Sequence, residues 1–115
     1  MRLVHRQNGD QTTLASNVET ADSFLSKARG LMFRGSVPDD YALVFRFDDA
    51  DHHSLHMVFV PFDIDALWLI GDEVKQKKRL SAWTGIGLGM ADTIIELPAG
   101  AAEDVNPGDL VQLSE

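Results

Sequence analysis

The sequence predicts an α+β fold: a mostly antiparallel β-sheet, curled into a sandwich or open barrel, with one main helix packed on it. Three observations lead there. Seven or eight short β-prone runs follow one another with turn signals only a few residues long between them, and strands so connected pair antiparallel. Only one stretch, Asp22 to Arg29, sets apolar residues at helical spacing. At 115 residues the chain suits one domain, residues 1–115, able to bury well over half of the surface its unfolded form exposes.

Leu3 to Arg6 is a first strand, and Asn8-Gly9-Asp10 supplies the positive φ angles of a tight hairpin turn. Thr12 to Glu19 is β-prone and reads as the returning strand. Asp22 or Ser23 then caps the helix. Phe24, Leu25 and Ala28 form its apolar face, Lys27 and Arg29 place cations in its last turn, and Gly30 stops it. Gly35 to Asp40 is a loop, and Tyr41 to Phe47 is the clearest strand. Asp48 to Asp51 reads as an acidic turn and His53 to Val60 as a strand ended by Pro61. Ile64–Ile70 and Glu73–Leu80 form a hairpin around Gly71-Asp72. Trp83 to Met90, with three glycines, reads as a loop. Thr93 to Leu97 is a strand stopped by Pro98, and Asn106 to Asp109 is a turn before a last strand, Leu110 to Leu113.

Composition narrows the function. Hydrophobic content of 44% suits a globular protein, and no apolar run approaches the roughly 20 residues that span a bilayer. The first residues lack the apolar core of a signal peptide. With no cysteine, disulfides, thiol catalysis and thiolate metal sites are excluded, and a cytoplasmic location is expected. The net charge is −8, with 18 acidic residues, 13 of them Asp, against 10 basic ones. A surface of this sign is a poor match for a nucleic-acid backbone. An Asp-rich, Lys-poor composition also suits a high-salt cytoplasm, where the Debye length at 1 M is only ~3 Å. A melting temperature that stays flat from dilute to multimolar KCl would count against that halophile hypothesis, leaving an ordinary acidic protein.

Three motifs occur in order. Gly30-Leu31-Met32-Phe33-Arg34 follows the helix. His53-Ser54-Leu55-His56-Met57 leads into Pro61-Phe62-Asp63-Ile64-Asp65. Glu96-Leu97-Pro98-Ala99-Gly100 precedes Pro107-Gly108-Asp109-Leu110-Val111. No single motif is specific, but the ordered set, from about Val18 to Leu113, resembles the domain of unknown function 192, also called uncharacterised protein family 0127. The resemblance implies a small, mostly antiparallel β fold with a packed helix, and no established catalytic residues. Many members carry a Lys-Asn pair directly after the methionine of the second motif, where this chain has Val58 and Phe59.

The site candidates follow from these motifs. On a strand, His52, Ser54 and His56 share one face and His53, Leu55 and Met57 the other. His52 and His56 then stand roughly 13 Å apart at ~3.3 Å per residue, too far for one metal. A bend could bring His52 and His53 beside Asp49 or Asp51 as ligands for zinc or a harder cation, but no His-Glu-x-x-His spacing is present. Solvated or singly hydrogen-bonded histidines are the plainer reading. Asp63 and Asp65 share a strand face and are candidates for acid/base work. The structural alternative is that Arg34 forks onto Asp63 or Glu96 and pins the post-helix loop to the sheet. Glu96 stands before a Pro98–Glu103 segment that could start a short helix, whose amides would hold either an anion or Glu96 itself.

The Trp83-Thr84-Gly85-Ile86-Gly87-Leu88-Gly89 run lacks the Gly-x-Gly-x-x-Gly spacing of a dinucleotide site. Exposed Trp83, Ile86 and Leu88 would instead be a contact surface for a protein partner, unless they fold back onto the core. Lys75, Lys77, Lys78 and Arg79 read as charges guarding an edge strand. These readings favour a non-catalytic binding or protein-interaction module whose face combines Arg34, His53, His56, Asp63 and Glu96. The alternative is a metal-dependent or acid/base enzyme using His53, His56, Asp63 and Asp65. No cofactor is indicated, and self-association through an edge strand is a further possibility.

Overall fold

The computed structural model of the chain describes residues 1–21 and 30–115. Eight strands follow one another: β1 (Arg2–Gln7), β2 (Asp10–Ala15), β3 (Asn17–Ala21), β4 (Tyr41–His56), β5 (Ile64–Ile70), β6 (Glu73–Leu80), β7 (Ile86–Pro98) and β8 (Leu110–Ser114). They form one sheet in the order β2-β1-β8-β6-β5-β7-β4-β3. Every neighbouring pair is antiparallel except β3 with β4, where Asn17 faces Tyr41 and Ala21 faces Phe45 in parallel.

The topology demands strong curvature. In a flat sheet, seven inter-strand steps of ~4.8 Å would put β2 and β3 about 34 Å apart. Yet one residue, Ser16, links them. The sheet therefore curls until its two edges meet, although no ladder joins β2 to β3. The corner is held by Asp40, whose carbonyl accepts the Ser16 and Asn17 N–H groups (3.0 Å each) and whose carboxylate accepts the Ser16 hydroxyl (3.0 Å).

β5 lies near the middle and is buried on both faces. Ile64, Ala66 and Trp68 enter one core with Tyr41, Leu43, Phe45, Met57, Val60, Leu80 and Ile94. Leu67 and Leu69 enter a second core with Leu3, Val44, Val74, Ile95, Leu97, Ala102, Val105 and Val111. The continuous apolar run of β5 is what a strand covered on both sides requires.

Several expectations change. The α+β fold with one main helix is corrected: among the described residues there is no helix, and the chain forms one open eight-stranded sheet. The Asp22–Arg29 segment expected to be helical lies outside the described residues. The run from Thr12 to Glu19 is two strands, broken at Ser16 and sent to opposite edges. The acidic turn at Asp48–Asp51 is absorbed into β4 as an irregularity, with Arg46 facing Thr93 and Asp51 facing Ala91. An out-looping segment of this kind re-aims a strand without ending it, and charged residues suit its solvated exterior. The glycine-rich segment after Trp83 is strand from Ile86 onward. Pro98 to Glu103 makes turns, with Ala101 N–H to Pro98 O and Glu103 N–H to Gly100 O, and no helix.

The cationic strand β6 is not at the end of the sheet. It meets β8 only at Glu73↔Leu110. Its Lys77 ammonium donates to the carbonyls of Ala102 and Glu103, and Lys78 donates to the Ile86 carbonyl at 2.7 Å.

Candidate functional site

Three tight turns meet at one end of the first core, and each displays an aromatic ring. In the first, Arg34 N–H bonds to Leu31 O. In the second, Val60 N–H bonds to Met57 O, and in the third Gly85 N–H bonds to Ser81 O. Backbone bonds join them side by side: Phe33 N–H to Phe59 O (2.9 Å), Trp83 N–H to Val60 O (2.9 Å) and Met57 N–H to Gly85 O (3.0 Å). Leu31, Met57 and Val60 are buried beneath, anchoring the assembly. Gly85 is required there, because a Cβ would stand 2.7 Å from Ser81 N and 2.9 Å from Met57 Cγ.

The rings point outward. Phe33 is 65%, Trp83 57% and Phe59 48% exposed, and the two phenyl rings stack with centroids 4.9 Å apart. All three residues are left-handed, with φ of 68°, 60° and 66° for Phe33, Phe59 and Trp83. Only one other non-glycine residue among those described has positive φ, Asn8 in its hairpin turn, where asparagine is at ease. An aromatic residue held left-handed costs on the order of 1–3 kcal/mol. Such strain persists where the surrounding structure over-determines it.

β7 extends this surface. Ile86, Leu88 and Met90 face outward and are exposed, while Gly87 and Gly89 face inward against the buried indole of Trp68. Their partners across the ladder are His56, Ser54 and His52, which therefore share the outer face.

The residues singled out from the sequence have separate partners. Arg34 does not reach Asp63 or form a fork with Glu96: its guanidinium donates to the Tyr41 hydroxyl (2.9 Å) and the Glu19 carboxylate (3.3 Å) and lies over the Tyr41 ring. Burial pushes the Tyr41 hydroxyl up to about 12, against the opposing Arg34 charge. Glu96 is buried on the same core face, and its carboxylate lies beside Gly30, as does the Phe45 ring. Burial raises its pKa to about 7, and the Arg34 charge works the other way. Arg34 and Glu96 are thus coupled through charge.

Asp63 accepts the Ala82 N–H at 2.8 Å and so positions the Trp83 turn. Asp65 is buried and bonds Arg79, and its second oxygen accepts the Gly100 and Ala102 N–H groups at 3.0 Å each. Asp65, not Glu96, therefore holds the amides after Pro98. His53 stacks on Phe47 with centroids 3.7 Å apart, and its buried Nε2 has no hydrogen-bond partner among the described residues. His56 is exposed, with Nδ1 accepting the Val58 N–H at 3.3 Å. Among the described residues, no three His, Asp or Glu side chains form a group able to hold a metal ion.

Sequence reasoning passed over Phe33 and Phe59 as surface residues, because a left-handed aromatic has no local sequence signal. Phe33 was visible only as part of the first motif. His5 was also overlooked. It is buried, and its Nε2 meets the Asp109 carboxylate at 2.8 Å, pinning the last turn together with Gln7 and the Asn106 N–H.

The family model DUF192, described as Uncharacterized ACR, COG1430, matches residues 4–113. The chain belongs to the DUF192 family. It is 33% identical over 101 residues to a UPF0127 protein of Thermococcus gammatolerans, covering 83% of this chain and 65% of that protein. A UPF0127 protein of Thermococcus sibiricus is 34% identical over 108 residues, covering 90% of this chain and 68% of that one. The chain thus spans about two thirds of the length of these relatives. Its fold is similar to that of a Novosphingobium aromaticivorans protein of unknown function, with a TM-score of 0.84 at 20% identity over 97% of this chain and 84% of that one. A proposed transcription regulator of Sinorhizobium meliloti superposes equally well, with a TM-score of 0.84 at 22% identity over 96% of this chain and 91% of that one. No helix among the described residues is long and apolar enough to cross a membrane.

Proposed function

We propose that this DUF192 protein is a non-catalytic interaction module whose contact surface is the aromatic trio Phe33, Phe59 and Trp83, extended by Ile86 and Leu88. The observation that carries the reading is that all three aromatics are both exposed and left-handed. At roughly half exposure or more, the three rings present on the order of 300 Å2 of apolar surface, the size of patch that is often functional. Phe59 stands where many family members carry asparagine, the residue best suited to a left-handed position. Phenylalanine there costs stability and adds exposed ring surface, which is the wrong exchange for a fold and a useful one for binding.

The residues proposed from the sequence act around this surface. Asp63 fixes the Trp83 turn, and His56 borders the Val58–Phe59 turn. Arg34 ties the turn that carries Phe33 to Tyr41 and Glu19, and Glu96 lies beside Gly30 just before that turn. The enzyme reading draws less support, since His53, His56, Asp63 and Asp65 each have a different neighbour. A nucleic-acid partner is disfavoured by the net charge of −8.

The test uses Phe33→Asn, Phe59→Asn and Trp83→Asn together, substitutions that suit the backbone and remove the rings. The variant should melt no lower than wild type. A protein retained by the immobilised wild-type chain from its own host's lysate, identified by mass spectrometry, should be lost with the variant. Retention of the same proteins by both chains, or of none by either, would sink the proposal.

A further inference from the structure

A second candidate site lies at the second core, on the opposite face of the sheet from the aromatic trio. Where the sheet curls, β1 and β8 face β4 and β7 across a cleft of about 280 Å3. Its floor is apolar: Leu3, Val44, Leu69, Ile95 and Val111 line it, and all are buried. Curled sheets commonly bind small ligands at such mouths, where an apolar floor meets a few polar groups that fix orientation.

The rim carries one cation and two carboxylates. Both aspartates are engaged. Asp92 accepts the Gly71 N–H at 2.9 Å through one oxygen and the Thr93 hydroxyl at 3.0 Å through the other. Asp72 accepts from the Gln112 amide at 3.0 Å. Arg46 is on the rim too, facing Thr93 across the ladder. Its guanidinium has no ion-pair or hydrogen-bond partner among the described residues, although two carboxylates line the same cleft. A guanidinium fork matches a carboxylate in plane and spacing. The aspartates nearby would repel a second negative charge.

We propose that this cleft binds a small monocarboxylate with a compact apolar tail, its head on Arg46 and its tail on the Leu69–Ile95 floor. Arg46 offers one guanidinium, unpaired among the described residues, to a single carboxylate, and the volume, at the small end for ligand sites, limits the tail to a short chain.

Hexanoate is a suitable probe, titrated into the 15N-labelled chain and followed by amide shifts. Saturable shifts at Gly71, Thr93 and Gln112, with Phe33, Phe59 and Trp83 unmoved, are expected. Succinate, a dianion, and hexylamine should leave the cleft amides still. Arg46→Gln, a change at an exposed position, should keep the spectrum of a folded protein and weaken hexanoate roughly tenfold or more, the effect of losing one charge-assisted contact. No saturable shift at millimolar hexanoate, equal binding by Arg46→Gln, equal binding of succinate or hexylamine, or shifts centred on the aromatic trio would each overturn the proposal. None of these outcomes bears on the interaction surface except the last, so the two proposals fail separately.

Discussion

Replacing Glu96 with glutamine should raise stability at alkaline pH and leave it nearly unchanged in mild acid. Glu96 is buried between β4 and β5, with Leu43 and Ala66 as its ladder partners. Burial raises its pKa from 4.5 to about 7, a rise that the charge of Arg34 only partly offsets. The folded state therefore holds the proton more tightly than the unfolded chain. Above the unfolded value of 4.5 the unfolded carboxylate is charged and hydrated, while the folded one stays neutral until about pH 7. Stability is then full below pH 4.5 and falls as pH rises through 7. The difference between the two values, at ~1.4 kcal/mol per unit, amounts to about 3 kcal/mol lost by pH 8.

Glutamine keeps the shape and never ionises. Urea unfolding of both chains at pH 5 and pH 8 should give stabilities within about 1 kcal/mol of each other at the lower pH. At the higher pH, Glu96→Gln should be the more stable chain by up to about 3 kcal/mol. Groups that titrate alike in both proteins, such as Asp109, whose pKa the His5 and Asn106 hydrogen bonds hold down against burial, cancel in this comparison. A stability difference that stays constant from pH 5 to pH 8, or that turns in favour of wild type as pH rises, would show that Glu96 folds as a charged partner of Arg34 and would refute the reasoning.

Two further substitutions test the packing. A Cβ on Gly87 would stand 2.6 Å from Trp68 Cη2, with Trp68 buried and its Nε1–H bonded to the His53 carbonyl at 3.1 Å, so Gly87→Ala should cost about 1–3 kcal/mol in chemical denaturation. Gly35→Ala, where nothing lies within 4 Å, should change stability by less than about 0.5 kcal/mol, and equal effects at both sites would contradict the packing. Asp65→Ala strips the acceptor from the Gly100 and Ala102 amides and should cost about 3 kcal/mol. Arg79→Ala, on the solvent side of the same carboxylate, should cost much less, and the reverse order would mean that the ion pair and not the amides holds the loop.

Much of the strand pattern was legible because it rests on local chemistry. Asn8-Gly9 and Gly71-Asp72 make the turns their residues favour, with φ of 51° at Asn8, 86° at Gly9 and 60° at Gly71. Alternation correctly divided His52 and His56 from His53. What stayed hidden depends on distant parts of the chain. Ser16 breaks a β-prone run only because Asp40 reaches back to it. Asp48 to Asp51 has the composition of a turn, yet β7 carries β4 past it. Gly87 and Gly89 suggested a loop because the indole that fills their missing side chains comes from Trp68, about twenty residues earlier in sequence. The partners of Arg34 and of the amides after Pro98 were misassigned for a similar reason: a carboxylate's choice between a guanidinium and backbone amides follows from the path of the chain, which composition does not encode.

The segment Ile86-Gly87-Leu88-Gly89-Met90 inverts the usual amphipathic strand. A strand covering a core ordinarily turns its apolar side chains inward and its polar ones to water. Here the inward positions are glycines, emptied to admit Trp68, and the outward ones are isoleucine, leucine and methionine. Room for the indole explains the glycines but not the choice of apolar residues between them, since threonine or lysine would suit a solvated strand face equally well and guard it against association. The aromatic trio presents the same problem by a different route, for glycine or asparagine would relieve all three left-handed positions. Neither feature improves the fold, one arises in strand and the other in turns, and Gly85 joins them at a distance of one residue from Ile86. Two separate sacrifices of stability and solubility on adjoining surface are accounted for together if that surface spends part of its time covered by a partner.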